Sequence, residues 1–389
     1  MVQENTVNDF SKGSVVKNIL TLALPMTLAQ LINILYNIVD RMYIGRIPDH
    51  ATLSLTGLGL SMPIISAVIA FANLFGVGGA PLCSIARGKG DIKGAEKVVG
   101  NAFTMLLCTG VLLTVAGLLF KKPLLYAFGA SDATFPFADS YLSIYLLGCT
   151  FVTVSLGMNS YINAQGFARM GMVTTLIGAV LNIILDPLFI FTMGMGIRGA
   201  AIATVISQLA SAIWTVRFLT SPKAILRIRV SCMRPCLKTI RDIAALGLSN
   251  FMMSITNSIV QVVCNSTLSL YGGDLYVGVM TVINSVREIV SMPVSGITNG
   301  SQPVISFNYG AEKYDRIKTA IRFMAVSCIA YTTAIWGILH LFPVFFIHIF
   351  NTQADLVEAA VPSMQIYYFG FFMMSLQFAG QSTAVALGR

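Results

Sequence analysis

The sequence predicts an all-α polytopic membrane protein built from two related lobes of helices. Of its 389 residues, 56% are hydrophobic and only 11% are charged, and the mean hydropathy is +0.77. This composition is too apolar for an ordinary soluble globular protein. Two further observations support the prediction: long apolar windows recur along the whole chain, and the pattern of the first half returns in the second.

Ten windows are long and apolar enough to cross a bilayer, which takes about 20 residues of helix. Several exceed that minimum, which permits a tilted helix or one that extends beyond the hydrocarbon. The windows cover residues 18–44, 53–83, 98–120, 137–164, 172–193, 199–219, 239–271, 275–307, 317–350 and 359–387.

The basic residues indicate how the helices are oriented. The net charge is +9, and most of the 25 Lys and Arg residues fall in the segments that share one side with the N terminus. Such an asymmetry follows the positive-inside rule, so the charge is a topology signal and not a nucleic-acid interface. No cleavable signal peptide is evident. We therefore expect a multi-pass protein of the plasma membrane with a cytoplasmic N terminus.

The chain offers no pattern that predicts an enzyme. The stretch 194–199 matches G-x-G-x-x-G but joins two apolar windows, where the dinucleotide motif needs a preceding strand. No Walker A sequence occurs, and the histidines lack metal-ligand spacing. No nucleophile and base stand together at membrane depth. We expect neither a catalytic nor a metal site, and no cofactor.

The first window carries a polar stripe. Asn33, Tyr36, Asn37 and Asp40 are spaced three to four residues apart, so on a helix they share one side. The other side of this helix faces lipid, so the stripe is expected to face protein or a wet cavity.

The fifth window contains a second acid. Asn182 and Asp186 are four residues apart and therefore lie on one helical face. Pro187 follows and lacks an N–H, so a bend is expected there. An acid and an amide at membrane depth usually mark a route for an ion or proton. Asp40 and Asp186 lie at a similar depth, and we expect their carboxylates to meet in one cavity. The alternative is a buried Asp that only caps a helix break.

Matching residues in the two halves indicate an internal duplication. Pro81, Ser84 and Gly88 are followed 222 residues later by Pro303, Ser306 and Gly310 in the same order and spacing. Six windows precede the repeat, and an even number preserves orientation, so the lobes are expected to be related by an axis along the membrane normal. We predict a first lobe of six helices over residues 1–220, a basic cytoplasmic linker over 221–240 and a second lobe over 241–389.

The same shift would end the second copy near residue 441, about fifty residues beyond Arg389, which is enough for two spans. The second lobe is therefore expected to be incomplete, with four helices. Within it, Arg287 and Glu288 are adjacent opposite charges at membrane depth. Neighbours on a helix point about 100° apart, so each needs another partner. They would either line a cavity between the lobes or lock the lobes in one state.

These residues together resemble the multidrug and toxic compound extrusion (MATE) family, and most of all its bacterial multidrug branch. The matching pieces are Asp40 followed by Gly45, the stretch 181–191, residues 199–204 with Ser207 and Gln208, and the stretch 302–310. The likeness covers the whole chain, and the combination is more specific than any one piece. It implies a two-lobe MATE-type bundle around a central cleft, with cation-driven antiport of amphipathic, often cationic drugs.

By that resemblance the coupling network of proton-dependent members falls on six residues of the first lobe: Tyr36, Asp40, Tyr141, Asn182, Asp186 and Thr204. Sodium-coupled members use carboxylates in the seventh and tenth helices, and this sequence has none there. The first-lobe acids are therefore the expected coupling site for H⁺ or Na⁺. Asn33 and Asn159 are implied as drug contacts, and the in-span polar residues add further substrate-binding candidates. These are Asn37, Gln261, Arg287 and Glu288.

The leading hypothesis is a secondary active antiporter, a monomer that binds small amphipathic cations and membrane lipid. Two acids withdrawn from water would hold a proton that a cationic drug can replace. One alternative is a flippase for lipid-linked saccharides, which would favour a strongly cationic cavity. The other is a non-transporting membrane protein, and the incomplete second lobe supports it.

Overall fold

A computed structural model describes residues 8–48, 50–349 and 354–388, without the side chains at positions 258, 262, 265, 269, 274 and 277. This part of the chain is all-helical, as predicted, with no strands. A π-helical turn, Leu188–Thr192, follows α6, and a 3-10 turn, Val230–Cys232, lies in the linker. The helices are α1 (Val15–Ile44), α2 (Ala51–Gly88), α3 (Ile92–Ala127), α4 (Phe135–Leu147), α5 (Cys149–Ala164), α6 (Ala168–Pro187), α7 (Ile197–Thr220), α8 (Leu237–Gly310), α9 (Tyr314–Leu341), α10 (Pro343–His348), α11 (Ala354–Tyr368) and α12 (Phe371–Ala386).

Seven helices of the described chain are long and apolar enough to cross a membrane, and the pair α4 and α5, bent by 57° at Gly148, gives an eighth if it forms one span. The prediction of ten is therefore too high by this measure. The window 275–307 carries Arg287, Glu288 and several amides, which lower its hydropathy. The window 359–387 is interrupted near Gly370, which leaves two helices of 15 and 16 residues. Each is shorter than the roughly 20 residues that a span needs.

Two interruptions shape the longest elements. The predicted bend after Asp186 takes the form of the π-helical turn that begins directly after Pro187. A wider turn accommodates a residue that lacks an N–H, and such turns are frequent at functional sites. Within α8 the backbone at Gly273 is non-helical, with φ 65° and ψ −167°. We therefore treat α8 as a first segment before Gly273 and a second segment after it.

Several side-chain contacts recur in the two halves at the predicted shift. The Ser84 hydroxyl donates to the Ala164 carbonyl at 3.2 Å, and the Ser306 hydroxyl donates to the Ala386 carbonyl at 2.8 Å. Both donors and acceptors are 222 residues apart in sequence. The same two helix-end junctions are thus built twice, although the lobe boundaries at residues 220 and 240 stay predictions.

Glycines allow the halves to meet at one end of the bundle. A Cβ on Gly88 would lie 2.0 Å from the Phe307 carbonyl oxygen, and a Cβ on Gly310 would lie 2.0 Å from the Ile85 carbonyl oxygen. These are equivalent residues in the two halves, so the contact is reciprocal. Farther along, Gly300 packs as closely against Ala23 of α1. We call this end, which also carries the linker, the linker end.

The linker is fastened to the first half of the chain. The Glu96 carboxylate forms an ion pair with Arg229 at 2.7 Å, and the Leu226 N–H donates to the Gln165 side-chain carbonyl at 2.8 Å. The Asn101 side chain accepts from the Cys236 N–H at 2.7 Å and donates to the Cys232 carbonyl. Residues 226–236 therefore lie on α3 and on the turn after α5, and they are not a free tether.

The glycine contacts generate a test of the closed linker end. We expect Gly88→Ala and Gly310→Ala each to lower thermal stability, because overpacking a tight contact costs about 1–3 kcal/mol. Gly337→Ala is the matched control, since a Cβ on Gly337 meets no atom within 4 Å and replacing a mid-helix glycine gains roughly 0.8–1.0 kcal/mol. Melting in detergent, followed by size-exclusion chromatography, measures all three. Equal melting temperatures for Gly88→Ala and Gly337→Ala would contradict the contact.

Candidate functional site

Two buried carboxyl groups meet between α1 and α6, in the half of the bundle away from the linker end. Asp40 comes from the last two turns of α1 and Asp186 from the end of α6, just before the π-helical turn. Asp40 is 8% exposed and Asp186 is fully buried. The two carboxyl groups lie within hydrogen-bonding reach of one another. The expectation that the acids share one site, which rested on depth alone, agrees with this placement.

Asn182 joins this pair to α7. Its amide nitrogen donates to the Asp186 carboxylate at 3.2 Å and lies 3.5 Å from the Thr204 hydroxyl. The four-residue spacing of Asn182 and Asp186 on α6 makes the first contact possible. The Tyr141 hydroxyl of α4 is within hydrogen-bonding reach of Thr204, and Tyr36 of α1 is close enough to interact electrostatically with both acids. All six predicted coupling residues are thus brought together.

Three oxygens of this cluster have no hydrogen-bond partner among the described residues. They are one carboxyl oxygen each of Asp40 and Asp186 and the side-chain oxygen of Asn182. Buried polar atoms are costly unless they are paired. An ionised carboxylate only accepts hydrogen bonds, so two carboxyl groups in contact need one proton between them. The cluster therefore has the chemistry to hold a proton or a small cation.

A small cavity of about 40 Å³ lies beside the acid cluster. Asn182 and Thr204 form its wall on the acid side, and Ser207, whose hydroxyl is also unpaired among the described residues, lines it from α7. This volume holds one or two water molecules. Asn33, Leu156, Asn159 and Thr175 also line the larger central cavity, so the two spaces share a wall.

The central cavity measures about 290 Å³ and lies toward the linker end. Helices α1, α2, α5 and α6 of the first half and the second segment of α8 enclose it. Its described lining contains no charged side chain, and its polar groups are mainly carboxamides. The carboxamides are Gln30, Asn33, Asn73, Asn159, Asn163, Asn299 and Gln302.

The structure separates the predicted substrate contacts into two groups. Asn33 and Asn159 line both cavities. Asn37 lines neither, and its amide donates to the Asn33 backbone carbonyl within α1 at 2.8 Å. Gln261, in the first segment of α8, is exposed and lines neither cavity. The placement of Asn37 and Gln261 therefore does not support a direct role in a central site.

Arg287 and Glu288 lie outside both cavities as well, so the expectation that they line the space between the halves is wrong. Val286 and Val290 of the same segment are buried against α11. Arg287 is half-buried near Tyr368 of α11, and Glu288 is exposed. Among the described residues neither charge forms an ion pair across the halves, which leaves the alternative of a lock without support.

Sequence reasoning missed most of the carboxamides of the central cavity. Gln30, Asn73, Asn163, Asn299 and Gln302 all fall within apolar windows, and a signal was available in their spacing. Gln30 stands three residues before Asn33, and Asn299 three residues before Gln302. Amides at helical spacing in oily segments mark a protein-facing side. What the spacing does not reveal is which of these sides meet.

Comparison with known proteins gives a consistent result. Residues 25–188 and 250–389 match the sequence model of the MatE family. The multidrug export protein MepA of Staphylococcus aureus strain MSSA476 is 25% identical over 385 residues, which cover 98% of this chain and 84% of that protein. MepA of Staphylococcus saprophyticus is 25% identical over 376 residues, which cover 95% of this chain and 80% of that protein.

Solved structures share the fold. A crystal structure of MATE in complex with MaD3S aligns with a TM-score of 0.90 at 23% identity, over 97% of this chain and 84% of that one. A MOP superfamily transporter from Pyrococcus furiosus, described as having a binding pocket of reverse polarity, aligns with a TM-score of 0.89 at 23% identity and the same coverage.

Proposed function

The chain belongs to the MatE family, and on that premise we propose that it is a secondary active multidrug antiporter that exports amphipathic cationic compounds in exchange for H⁺ or Na⁺. Members of this family are transporters and not enzymes. The observation that carries the proposal is the buried pair of Asp40 and Asp186 beside a cavity that reaches the central cavity of the bundle.

Exchange requires that the ion and the drug compete for one negative charge. Asp40 and Asp186 are the acids at this depth in the first half, and Asn182 and Thr204 provide further oxygen ligands. When the pair holds H⁺ or Na⁺, its charge is reduced and a cationic drug is released. When a drug binds, the coupling ion is released. Opening of alternate ends of the bundle then gives net export.

The relatives support multidrug export, since the matching proteins of both Staphylococcus species are named multidrug export proteins. The central cavity is close to the lower end of the 300–1,000 Å³ typical of drug-sized sites. A flippase for anionic lipid-linked saccharides is disfavoured, because the described lining of this cavity contains neither Lys nor Arg. We place the protein in the plasma membrane as a monomer with its N terminus and linker in the cytoplasm.

The first test replaces each acid by its uncharged isostere. In energised inverted vesicles, we expect Asp40→Asn and Asp186→Asn each to reduce drug uptake driven by an imposed proton or sodium gradient by about tenfold or more. Expression is expected to stay at the wild-type level. Asp315→Asn is the matched control, because its side chain is fully exposed at the linker end. Full gradient-driven uptake in either buried variant would refute the coupling scheme.

The second test determines the orientation with Cys236, which precedes α8 at the linker end. The backbone N–H and hydroxyl of Thr239 and the nearby Lys97 ammonium stabilise the thiolate, which lowers the pKa of the Cys236 thiol to about 7. After Ser replacement of Cys108, Cys232 and Cys264, we expect a membrane-impermeant maleimide to label Cys236 in inside-out vesicles only. The labelling rate is expected to be half-maximal near pH 7, because the thiolate forms as the pH rises through that value. Labelling confined to right-side-out vesicles would reverse the orientation.

A further inference from the structure

The carboxamides of the central cavity present hydrogen-bonding groups without charge. Seven amide side chains come from four helices, and no Lys, Arg, Asp, Glu or His belongs to the described lining. Each amide carries two donor hydrogens and an acceptor oxygen. Such a surface binds carbonyl, hydroxyl and N–H groups of a ligand, and it offers an isolated positive charge no counter-ion.

Two of these amides have unused acceptors that point to one place. The side-chain oxygens of Asn159 and Asn163 are buried and have no hydrogen-bond partner among the described residues. Both lie next to Gly171 of α6, where a Cβ would be 3.0 Å from the Asn159 oxygen and 2.2 Å from the Asn163 oxygen. The glycine therefore keeps both acceptors free in a cavity wall. A ligand N–H or O–H group would satisfy them.

The two cavities divide the work of recognition by size. The small cavity of about 40 Å³ has room for water or a bare ion but not for a drug. A drug body therefore stays in the central cavity, separated from the acid pair by the shared wall of Asn33 and Asn159. Its charge acts across that wall, and its neutral polar groups meet the amides.

We propose that the central cavity is a carboxamide subsite that selects compounds rich in neutral hydrogen-bonding groups over lipophilic cations that lack them. This proposal rests on the proposed function, since it specifies the substrates of the same transporter. It assigns Asn163 and Asn299 as specificity-determining residues that face the substrate from the two halves of the chain.

The test compares two probes of different chemistry. Puromycin carries amide, hydroxyl and amine groups, whereas tetraphenylphosphonium is a cation without a donor or an acceptor. We expect Asn163→Leu and Asn299→Leu each to weaken puromycin binding by about 3- to 10-fold, the effect of one lost hydrogen bond, and tetraphenylphosphonium binding by less than about twofold. Asn37→Leu is the matched control on α1, because Asn37 lines neither cavity.

Binding of both probes to the purified protein in detergent gives the readout, together with gradient-driven uptake in vesicles. Equal losses for the two probes, or no loss of puromycin binding in either variant, would overturn the carboxamide subsite. If wild-type protein shows no ion-driven uptake of either probe, the proposed antiport fails, but the binding comparison still decides whether the amides select the ligand.

A separate observation concerns the N-terminal strap, which we define as residues 8–13. On the first half, the Arg87 guanidinium of α2 donates to the backbone carbonyls of Asn8 and Gln165, and the Asn8 amide donates to the same Gln165 carbonyl at 3.3 Å. Gln165, at the turn after α5, is fully buried. The strap is therefore tied to two elements of the first half.

The strap is also tied to the second half. The Asn308 amide of α8 donates to the Phe10 carbonyl at 3.1 Å, and the Arg316 guanidinium of α9 donates to three strap carbonyls at 2.9 to 3.2 Å. The Phe10 ring, 4% exposed, packs edge-on against Phe307 at 5.8 Å between centroids. The Arg87 guanidinium lies over both rings, at 5.4 and 4.9 Å.

These contacts close the linker end around a buried cation. Arg87 is 8% exposed, and among the described residues it forms no ion pair; two carbonyls and two aromatic faces solvate it instead. Opening the linker end separates Phe307 from α2, which removes one of these faces and gives Arg87 to water. The strap continues directly into α1, which carries Asp40 at its other end.

We infer that the strap is a latch that holds the linker end closed and that must leave the second half before that end opens. Spin labels at Lys93→Cys and Asp315→Cys, on the exposed starts of α3 and α9, would report the separation of the halves by double electron–electron resonance. Phe10→Ala and Arg316→Gln are each expected to raise the population of a longer distance by about fivefold or more.

Lys12→Ala is the matched control, because the Lys12 ammonium contacts only Asp9 and its side chain is 70% exposed. Its distance distribution is expected to equal that of the wild type. Melting of each variant identifies any that fails to fold. An unchanged distribution in both Phe10→Ala and Arg316→Gln, with native melting, would overturn the latch.

Discussion

The contact between Asp40 and Asp186 is the interaction on which the rest of this structure depends. Burying an acid at membrane depth is costly, and burying two in contact is sustained only if a proton or a cation is shared between them. The surrounding helices are arranged to meet that cost. α6 supplies Asn182 one turn away, α7 supplies Thr204, and the π-helical turn after Pro187 ends α6 at the acid. The first half thus builds the site by itself.

The second half contributes closure and part of the central cavity. Its second α8 segment brings Asn299 and Gln302 to the cavity and Gly300 and Gly310 to the linker end. These residues lie within a few turns of one another, so the helix that completes the cavity wall also makes the tight contact that closes it. Substrate space and closure are therefore linked through a rigid element, which is the arrangement that exchange between two ends of a bundle requires.

The sequence was informative where a local rule applied. The spacing of Asn182 and Asp186 predicted their shared face, and the 222-residue shift predicted the paired serine junctions of the two halves. Pro187 predicted an interruption, although not its π-helical form. Contacts between distant helices were less accessible. The amide stripes of α5 and α8 were visible only as polar residues in oily windows, and nothing local indicates that they enclose one cavity. Arg287 and Glu288 misled because charge at depth does not reveal which neighbour a helix face meets.

The attachment of the linker to α3 has a mechanical consequence. A connection of some fifteen residues would ordinarily permit the two halves to drift in every direction, but the Glu96–Arg229 ion pair and the Asn101 bonds leave almost none of that slack. The covalent joint shrinks to the few bonds around Cys236, where α8 begins. Relative rotation of the halves would accordingly have one fulcrum beside α3, and the direction of swing would be set there and not by the length of the connecting chain.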